Sequence, residues 1–557
     1  MQRFSRTAVF VLGCVAATAW TPPAAHTQSA SCLVSTLNGD VQGVDRGESC
    51  AFLGIPYAAP PVGQLRWKPP QPASPWTVLN AVTPPPNCPS IQLPARVLSG
   101  NEDCLKLNIW VRNPLPSKPA PVIVWLHTGA FFGASANFPS HNGERLAVER
   151  GVIVVAPNYR LGPFGFLAHT ALASEDPWHP ASGNYGLMDQ RAALAWVREN
   201  ISQFGGDPTK VTLAGTSAGA ESVGLHLVSP SSAGLFQRAI VQSGAVTVRW
   251  PAHSEVESQG AAFATALGCT NPSDVLACLR SKTRDQVLLA LSQGTQQVSA
   301  RPDTVYWLPI VDGVEIPDQP RFLFESGAFH QVPTIIGTNR DEGWGAFITR
   351  SFPSGPDSIQ YEDWIFNEFG PDASGMLAAY PATNGTFEAE PLARLVGDAQ
   401  FVCEARRLAR LIERTKTPVF LYSYEYEIDS LAVDHVIHGV ETNILFGNDY
   451  VPPIFASHTL DASDLVLHST MAGYWTRFAI SGNPNRPRRS MYSTSDEPTV
   501  VHWPAFTHPR EAGRGSDKYL VLDSIVREGK RQREKQCDFL EPFFFRSILA
   551  GVPASTP

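Results

Sequence analysis

Unbroken runs of aliphatic residues recur along the chain and are its clearest regular feature. Residues 122–126 and 152–155 are two such runs, and neither contains a charged position. Runs of this kind are typical of strands that are buried on both faces of a parallel sheet. Further candidate strands of the same sheet are residues 239–242, 334–337, 419–424 and 519–522.

Helical periodicity separates these runs. Between residues 186 and 204, apolar side chains recur at spacings of three and four, which predicts an amphipathic helix. The alternation of strand and helix patterns predicts an α/β fold with one large, mostly parallel central sheet flanked by helices. A chain of 557 residues is long enough for several domains, but this pattern favours a single domain over residues 31–557.

The first part of that domain has a different pattern. Residues 33–60 alternate between apolar and polar and contain the turn signals Asn38-Gly39 and Asp45-Arg46-Gly47. This predicts a small N-terminal antiparallel meander. Residues 69–95 are rich in proline and are expected to form an irregular surface loop.

Composition excludes several classes of function. Hydrophobic residues make up 43% and charged residues 17% of the chain, as in a globular protein with a large core. The net charge is −8, and no basic domain or stripe is present, so no nucleic-acid partner is expected. No metal-ligand cluster or phosphate-binding loop occurs, so no cofactor is implied. No segment reaches the ~18 apolar residues of a membrane span.

The N-terminus has the features of a signal peptide over residues 1–30. Arg3 and Arg6 precede an apolar run over residues 8–19. Cleavage is expected after one of three small residues, namely Ala19, Ala25 or Ala30. The protein is therefore expected to be secreted or periplasmic. A lipoprotein anchor at Cys14 is the alternative, although Val11 stands where that motif prefers leucine.

A nucleophile motif lies in the middle of the chain. The strand pattern of residues 211–214 leads into Gly-x-Ser-x-Gly, centred on Ser217, and a helical pattern follows over residues 221–228. This is the strand, turn and helix context of a nucleophile elbow. Gly215 and Gly219 suit such a turn because they have no Cβ to clash. The pentapeptide alone leaves open a glycine-rich turn before a helix.

The longer segment 204–219, from Phe204-Gly205-Gly206 through the serine, resembles the active-site signature of type-B carboxylesterases. This family comprises carboxylesterases, cholinesterases and fungal lipases with the α/β-hydrolase fold. Residues 102–110 resemble its second signature, except that Lys106 replaces the usual Tyr or Thr. The similarity extends over roughly residues 33–545. It implies a buried ion pair between Glu102 and Arg66.

Ester hydrolysis through a serine needs a general base, an acid that orients the base, and donors for the oxyanion. In α/β-hydrolases the three side chains follow the order serine, acid, histidine. The resemblance implies Glu342 as the acid, with its neighbour Asp341 as the rival. It implies His438 as the base, because the family pattern reads His-Gly-x-Glu, and His435 is the rival.

The resemblance also implies an oxyanion hole. Residues 127–132 occupy the place of the family's His-Gly-Gly-Gly-Phe loop, and the donors would be the backbone amides of Gly129, Ala130 and Ala218. Thr128 and Ala130 both depart from the all-glycine form. The methyl group of Ala130 would narrow the range of acyl or alcohol groups that fit.

Family position implies supporting roles for further side chains. Ser243 and Glu441 would brace the histidine region. The substrate pocket would be lined by Phe131, Trp250 and Trp344, and ordinary core packing of these aromatic rings is the open alternative.

Arg249 lies beside Trp250 in the expected acyl-pocket loop. It is a candidate for binding an anionic acyl group, such as that of a polycarboxylic ester, and a solvated arginine is the alternative.

Cysteine usage agrees with export. Eight of the nine cysteines lie outside the signal segment, an even number suited to an oxidising compartment. Reduced core cysteines are the alternative. The resemblance implies the pairs Cys88–Cys104, Cys269–Cys278 and Cys403–Cys537, which leaves Cys32 and Cys50 to pair by exclusion.

Together these features predict a secreted serine carboxylesterase that forms an acyl-enzyme on Ser217 and takes a small-molecule ester. Thr216 stands where cholinesterases carry Glu, and no Trp lies between Cys88 and Cys104, so choline esters are not expected. The short loop there lacks an amphipathic lid, which disfavours lipase behaviour. Alternatives are an esterase for polycarboxylate or bulky natural-product esters, a lipase, or a non-catalytic cholinesterase-like adhesion protein. The sequence does not determine the oligomeric state.

Overall fold

The fold is described from a computed structural model of the chain. The described residues are 32–92, 97–175, 181–290, 307–344, 357–383, 388–428, 435–450, 457–485, 501–507 and 517–543. The predicted signal peptide over residues 1–30, with Cys14, lies outside them.

The aliphatic runs form strands of one large sheet, as predicted, and two smaller sheets are also present in the described residues. The strands of all three sheets are given together here. The strands are β1 (Leu33–Thr36), β2 (Gly39–Gln42), β3 (Val44–Asp45), β4 (Ser49–Pro56), β5 (Val78–Asn80), β6 (Ser90–Gln92), β7 (Val97–Ser99), β8 (Lys106–Arg112), β9 (Ala120–Leu126), β10 (Ile153–Pro157), β11 (Gly206–Thr216), β12 (Arg238–Gln242), β13 (Thr334–Asn339), β14 (Val419–Tyr424), β15 (Lys518–Leu522) and β16 (Arg527–Lys530).

The main sheet has eleven strands in the order β16-β15-β14-β13-β12-β11-β9-β10-β8-β4-β3. Its central strands from β15 to β10 pair in parallel, and antiparallel strands complete both ends. This confirms the mostly parallel sheet of the α/β prediction. Because the central strands are parallel, their carboxyl ends meet at one edge, where the loops that follow them can bring distant residues together.

Helices flank the sheet. The α-helices are Glu144–Arg150, Gly162–Phe166, Thr170–Ala173, Tyr185–Asn200, Ala218–Val228, His253–Ala266, Val275–Ser281, Arg284–Ala290, Pro320–Ser326, Ser358–Phe369, Ala373–Ala379, Ala389–Gly397, Cys403–Arg414, Glu441–Phe446, Ala462–Ser481 and Glu534–Leu540.

The core lies on both faces of the sheet, as alternating side chains of β9 illustrate. Val122 and Val124 belong to one hydrophobic cluster, and Ile123 and Trp125 belong to another on the opposite face. Successive side chains of a strand point to opposite faces, so a strand between two helical layers must be apolar throughout. This is the physical reason for the unbroken aliphatic runs.

The N-terminal region differs in part from its prediction. Strands β1 and β2 pair antiparallel as expected, but β5 adds to β2 in parallel, with Asp40 opposite Val78, and completes a separate three-stranded sheet. Strand β4 instead pairs with β8 in the main sheet. The expectation of a wholly irregular loop over residues 69–95 was wrong, because residues 76–83 contain no proline and can join a sheet.

Four disulfide bonds join the eight cysteines outside the signal segment. The pairs are Cys32–Cys50, Cys88–Cys104, Cys269–Cys278 and Cys403–Cys537. They are the pairs expected from the sequence. No helix in the described ranges combines the length and apolar character needed to cross a membrane.

Candidate active site

Ser217 occupies a strained turn at the carboxyl edge of the sheet. Strand β11 ends one residue before it, the helix Ala218–Val228 starts one residue after it, and its backbone has φ 58° and ψ −126°. A Cβ on Gly215 would lie 2.5 Å from the carbonyl carbon of Gly219. A Cβ on Gly219 would lie 2.1 Å from the backbone oxygen of Leu126. Both positions therefore accept only glycine, as the elbow motif requires.

Glu342 and His438 form the second part of the site. Oε2 of Glu342 lies 2.6 Å from Nδ1 of His438. Glu342 follows β13 and is buried, with 4% of its surface exposed. Its other oxygen, Oε1, accepts hydrogen bonds from the Ser243 hydroxyl at 2.5 Å and the Asn339 amide at 2.7 Å. The carboxylate is therefore held on both oxygens, and it orients the imidazole.

The two rival residues are engaged elsewhere. Asp341 accepts a hydrogen bond from the backbone amide of Val436 at 2.8 Å and pairs with Arg340. His435 stacks on Trp344, with ring centroids 4.0 Å apart. These contacts favour Glu342 and His438 as the acid and the base.

The loop that carries His438 lies against the elbow. The hydroxyl oxygens of Thr216 and Thr442 are 3.3 Å apart, and a Cβ on Gly439 would approach the Thr216 side chain to 4.0 Å. Within the part of the chain that is described, the Ser217 hydroxyl makes no hydrogen bond, to His438 or to any other residue. Catalytic hydrogen bonds are often long in a resting enzyme and shorten when substrate binds.

Three carboxyl groups influence the charge of His438. Burial lowers the pKa of His438, but its interactions with Glu342, Glu441 and Glu221 outweigh burial and raise that pKa above its ordinary value of 6.5. Burial also raises the pKa of Glu441, which accepts hydrogen bonds from Asn339 at 2.7 Å and Gln242 at 3.1 Å. The surroundings of His438 therefore favour the imidazolium form of its side chain.

Ser243 and Glu441 were expected to brace the histidine region. The structure joins Ser243 to the acid and not to the imidazole ring. Glu441 is joined to Asn339, whose backbone amide binds Glu342. Ser243 thus reaches His438 through Glu342, whereas Glu441 also acts on the charge of His438 directly.

The expected oxyanion loop folds as a tight turn after β9. Gly129 has φ 115° and Ala130 has φ 50°, and the amides of Phe132 and Gly133 both donate to the Gly129 carbonyl at 3.0 Å. Among the described residues, the amides of Gly129, Ala130 and Ala218 donate no hydrogen bond. They are thus available to a developing oxyanion.

The expected pocket residues fall into two environments. Phe131 and Trp250 are buried, and their rings meet edge to face with centroids 6.4 Å apart. Trp344 is half-buried, and its indole nitrogen donates to Glu390 at 3.0 Å. Arg249 forms an ion pair with Glu255. The assignment of these four expected pocket residues to substrate contact remains a prediction.

Two residues that interact with His438 were not singled out in the sequence analysis. The ring of Phe401 lies 4.8 Å from the imidazole and belongs to a π-helical segment, Asp398–Val402. π-Helical segments are frequent at functional sites, but no short sequence motif predicts where they occur. Glu221 is the other residue, and its spacing of four from Ser217 was the available signal.

These groups together supply the parts of covalent serine catalysis: a hydroxyl on a strained turn, an imidazole held by a carboxylate, and free backbone amides. A metal centre is a different kind of site. The described parts of the chain contain no group of three or more His, Cys, Asp or Glu side chains that could hold a metal ion.

Comparison with known proteins agrees with this fold. A fumonisin B1 esterase from Sphingopyxis macrogoltabida is 35% identical over 508 residues, covering 89% of this chain and 88% of that protein. An acetylcholinesterase from Bungarus fasciatus is 34% identical over 501 residues, covering 82% and 79%. The solved structure of a PNB esterase matches with a TM-score of 0.75 and 33% identity, covering 92% and 100%. The sequence model of the carboxylesterase family matches residues 30–540. The chain therefore belongs to the carboxylesterase family and is a carboxylic-ester hydrolase.

Proposed function

We propose that this protein is a secreted serine carboxylesterase in which Ser217, His438 and Glu342 act as nucleophile, base and acid. The observation that carries the proposal is the 2.6 Å contact between Nδ1 of His438 and Oε2 of Glu342. It leaves Nε2 of the imidazole as the nitrogen that can take the serine proton. The free amides beside the elbow support the same role.

In the proposed reaction, His438 takes the proton of the Ser217 hydroxyl as its oxygen attacks the ester carbonyl. The amides of Gly129, Ala130 and Ala218 bind the oxyanion of the tetrahedral intermediate. Collapse of the intermediate transfers the proton from His438 to the leaving alcohol and leaves an acyl-enzyme. Water, activated by the same imidazole, then releases the acid. Glu342 stabilises the imidazolium.

For the substrate class, we propose esters of bulky natural products. More specifically, we propose esters whose acyl group comes from a polycarboxylic acid. The similarity to a fumonisin B1 esterase supports this choice. Arg249 is the candidate cation, because its Nη1 is buried and has no hydrogen-bond partner within the described residues. Its Nη2 is bound by Glu255, which competes with any anionic substrate.

The substrate proposal predicts opposite effects from the two partners of this ion pair. Arg249→Ala should raise KM for a carboxylated ester more than for its neutral analogue. Glu255→Ala should lower KM for the carboxylated ester, because it frees the guanidinium. Equal effects on both esters would dismiss Arg249 as an acyl-binding residue.

Choline esters are excluded from the proposal. Thr216 places a neutral hydroxyl beside the nucleophile, within 3.3 Å of the Thr442 hydroxyl. A quaternary ammonium group is bound by aromatic faces, and no Trp lies between Cys88 and Cys104, where cholinesterases carry one. The similarity to an acetylcholinesterase therefore extends to the fold and not to the proposed substrate.

Secretion is supported by the four disulfide bonds, since such bonds persist in oxidising compartments. Expression with the natural N-terminus, followed by sequencing of the mature protein, would test export. Recovery of an uncleaved protein with free thiols inside the cell would refute it.

The decisive test of catalysis uses a short-chain p-nitrophenyl ester. The wild type should release a burst of p-nitrophenol, and Ser217→Ala and His438→Gln should abolish turnover without unfolding the protein. His435→Gln is the matched control and should keep most activity. Full turnover by Ser217→Ala would refute the proposed mechanism, whereas a folded wild type without esterase activity would favour a binding protein.

A further inference from the structure

Asn339 is a buried residue whose side chain the proposed mechanism does not use. It is the last residue of β13, and none of its surface is exposed. Its backbone amide donates a hydrogen bond to Oε1 of Glu342 at 2.7 Å. The backbone of Asn339 therefore holds the acid, and its side chain is left to make contacts of its own.

The side-chain amide of Asn339 holds the loop of the base. Its Nδ2 donates to the backbone carbonyl of Ile437 at 2.7 Å and to Oε2 of Glu441 at 2.7 Å. Ile437 directly precedes His438, and Glu441 follows it by three residues, so the two contacts lie on either side of the base in the chain. An asparagine amide carries two donor hydrogens, and both are used here.

The orientation of this amide is fixed by its two acceptors. If the amide were reversed, its oxygen would face a carbonyl oxygen and a carboxylate oxygen, which both accept hydrogen bonds. With the nitrogen toward them, Oδ1 of Asn339 is buried and has no hydrogen-bond partner within the described residues. A buried oxygen without a partner costs free energy, which an apolar side chain of the same size would avoid. The contacts of Nδ2 are thus what distinguishes asparagine from such a side chain at this position.

We propose that Asn339 is a positioning residue that sets the distance between the acid and the base, because its backbone holds Glu342 and its side chain holds the loop of His438. This inference rests on the proposed function. The pair that it aligns is the 2.6 Å contact between Oε2 of Glu342 and Nδ1 of His438. Ser243 binds the acid from a neighbouring strand, whereas Asn339 contacts both the acid and the loop of the base.

A second bridge between the same two loops should preserve the fold when the side chain of Asn339 is replaced. The backbone amide of Val436 donates to the Asp341 carboxylate at 2.8 Å, and the amide of Asp341 donates to the Val436 carbonyl at 3.1 Å. This bridge lies two residues before His438, whereas the contacts of Asn339 lie on both sides of it. Loss of the Asn339 side chain should therefore let the imidazole shift without separating the loops.

The test compares Asn339→Leu with the wild type on a p-nitrophenyl ester. Leucine has a similar shape and no donor, and the backbone amide that binds Glu342 is kept. We expect kcat to fall about 10²-fold, because a misplacement of about 1 Å in a catalytic group costs that much. KM should change little, since a fully buried side chain does not touch the substrate. Wild-type kinetics, or a loss in KM with kcat unchanged, would overturn the inference.

Proton NMR gives a second readout of the aligned pair. A hydrogen bond to a carboxylate deshields the imidazole Nδ1 proton, so its resonance lies far downfield. The resonance of His438 is the one that His438→Gln removes. In Asn339→Leu it should broaden or move upfield, because the contact with Glu342 lengthens. An unchanged resonance would contradict the positioning role.

Asn184→Leu is the matched control. Asn184 is also fully buried, and its Nδ2 likewise donates to a backbone carbonyl, that of Ile310 at 2.9 Å, and to a carboxylate, that of Asp312 at 2.8 Å. None of these residues belongs to a loop that carries a proposed catalytic residue, so the variant should lose stability and keep its kcat and the downfield resonance. An equal loss of kcat in both variants would reduce the effect to general destabilisation and overturn the inference.

Asn339→Ala and Asn184→Ala form the second pair, in case the leucine variants do not fold. If Ser217→Ala is inactive in the same assay while Asn339→Leu keeps wild-type kinetics, the inference fails and the proposed function stands. Turnover by Ser217→Ala would remove both.

Discussion

The hydroxyl of Ser243 donates a hydrogen bond to Oε1 of Glu342 at 2.5 Å, on the opposite side of the carboxylate from His438. Ser243 follows β12 and adopts φ 56°, whereas Glu342 follows the neighbouring strand β13. Two adjacent parallel strands thus deliver a donor and an acceptor to the same edge of the sheet. The carboxylate of Glu342 is therefore held on both of its oxygens, and it holds the imidazole of His438 in turn.

Replacement of Glu342 by glutamine tests the identity of the acid. We expect kcat to fall by about 10³- to 10⁴-fold, because an amide cannot stabilise the imidazolium or fix its tautomer. Steady-state kinetics with an activated ester would measure the loss. Asp341→Asn is the control and should retain most activity. The reverse ranking of the two variants would assign the acid to Asp341.

The pH dependence of kcat/KM should reflect the raised pKa of His438. The base must be neutral to take the serine proton, and protonation therefore removes activity on the acid side. Because its carboxyl neighbours raise the pKa of His438 above 6.5, the acid limb should have its midpoint above 6.5. A profile measured from pH 5 to 9 would check this. A midpoint well below 6.5 would mean that burial outweighs the carboxylates.

The strained backbone of Ser217 is expected to lower the free energy of unfolding, and glycine at this position should relieve the strain. A backbone with φ 58° and ψ −126° is natural for glycine and unfavourable for other residues. We expect Ser217→Gly to be more stable than Ser217→Ala by about 1 kcal/mol, although both are inactive. Urea unfolding would measure the difference. At Ser222, inside the following helix, the order should reverse, because glycine disfavours helix interiors.

His226 should make stability fall in acid. Its Nε2 lies 3.0 Å from the side-chain oxygen of Gln190, and its Nδ1 lies 2.8 Å from the Ser232 hydroxyl, contacts that a neutral ring satisfies. Burial lowers the pKa of His226 to about 3. Below pH 6.5 the unfolded chain binds a proton that the folded chain does not. Stability due to His226 is therefore complete above 6.5 and declines by about 1.4 kcal/mol per pH unit below it.

The variant His226→Gln isolates this contribution. It should be less stable than the wild type at pH 7, and the difference should shrink as the pH falls toward 4.5. Denaturant unfolding at several pH values would measure both proteins under the same conditions. A difference that stays constant with pH would mean that folding does not lower the pKa of His226.

The sequence by itself determined the central strands and the elbow. Residues 122–126 are apolar without interruption because both faces of β9 are covered by helices, and burial on both faces leaves no position for a polar side chain. Gly215 and Gly219 flank Ser217 because neighbouring backbone fills the space where a Cβ would be. Such constraints act within a few residues of the chain and therefore leave local patterns.

The tertiary structure alone decided which distant groups meet. Nothing near Phe401 in the sequence predicts its contact with His438, and nothing near Val78 predicts that it pairs with Asp40. The chain of hydrogen bonds from Glu441 through Asn339 to Glu342 likewise depends on how separate segments pack. Contacts between remote segments are fixed by the geometry of the sheet and its loops, and that geometry is a property of the whole fold.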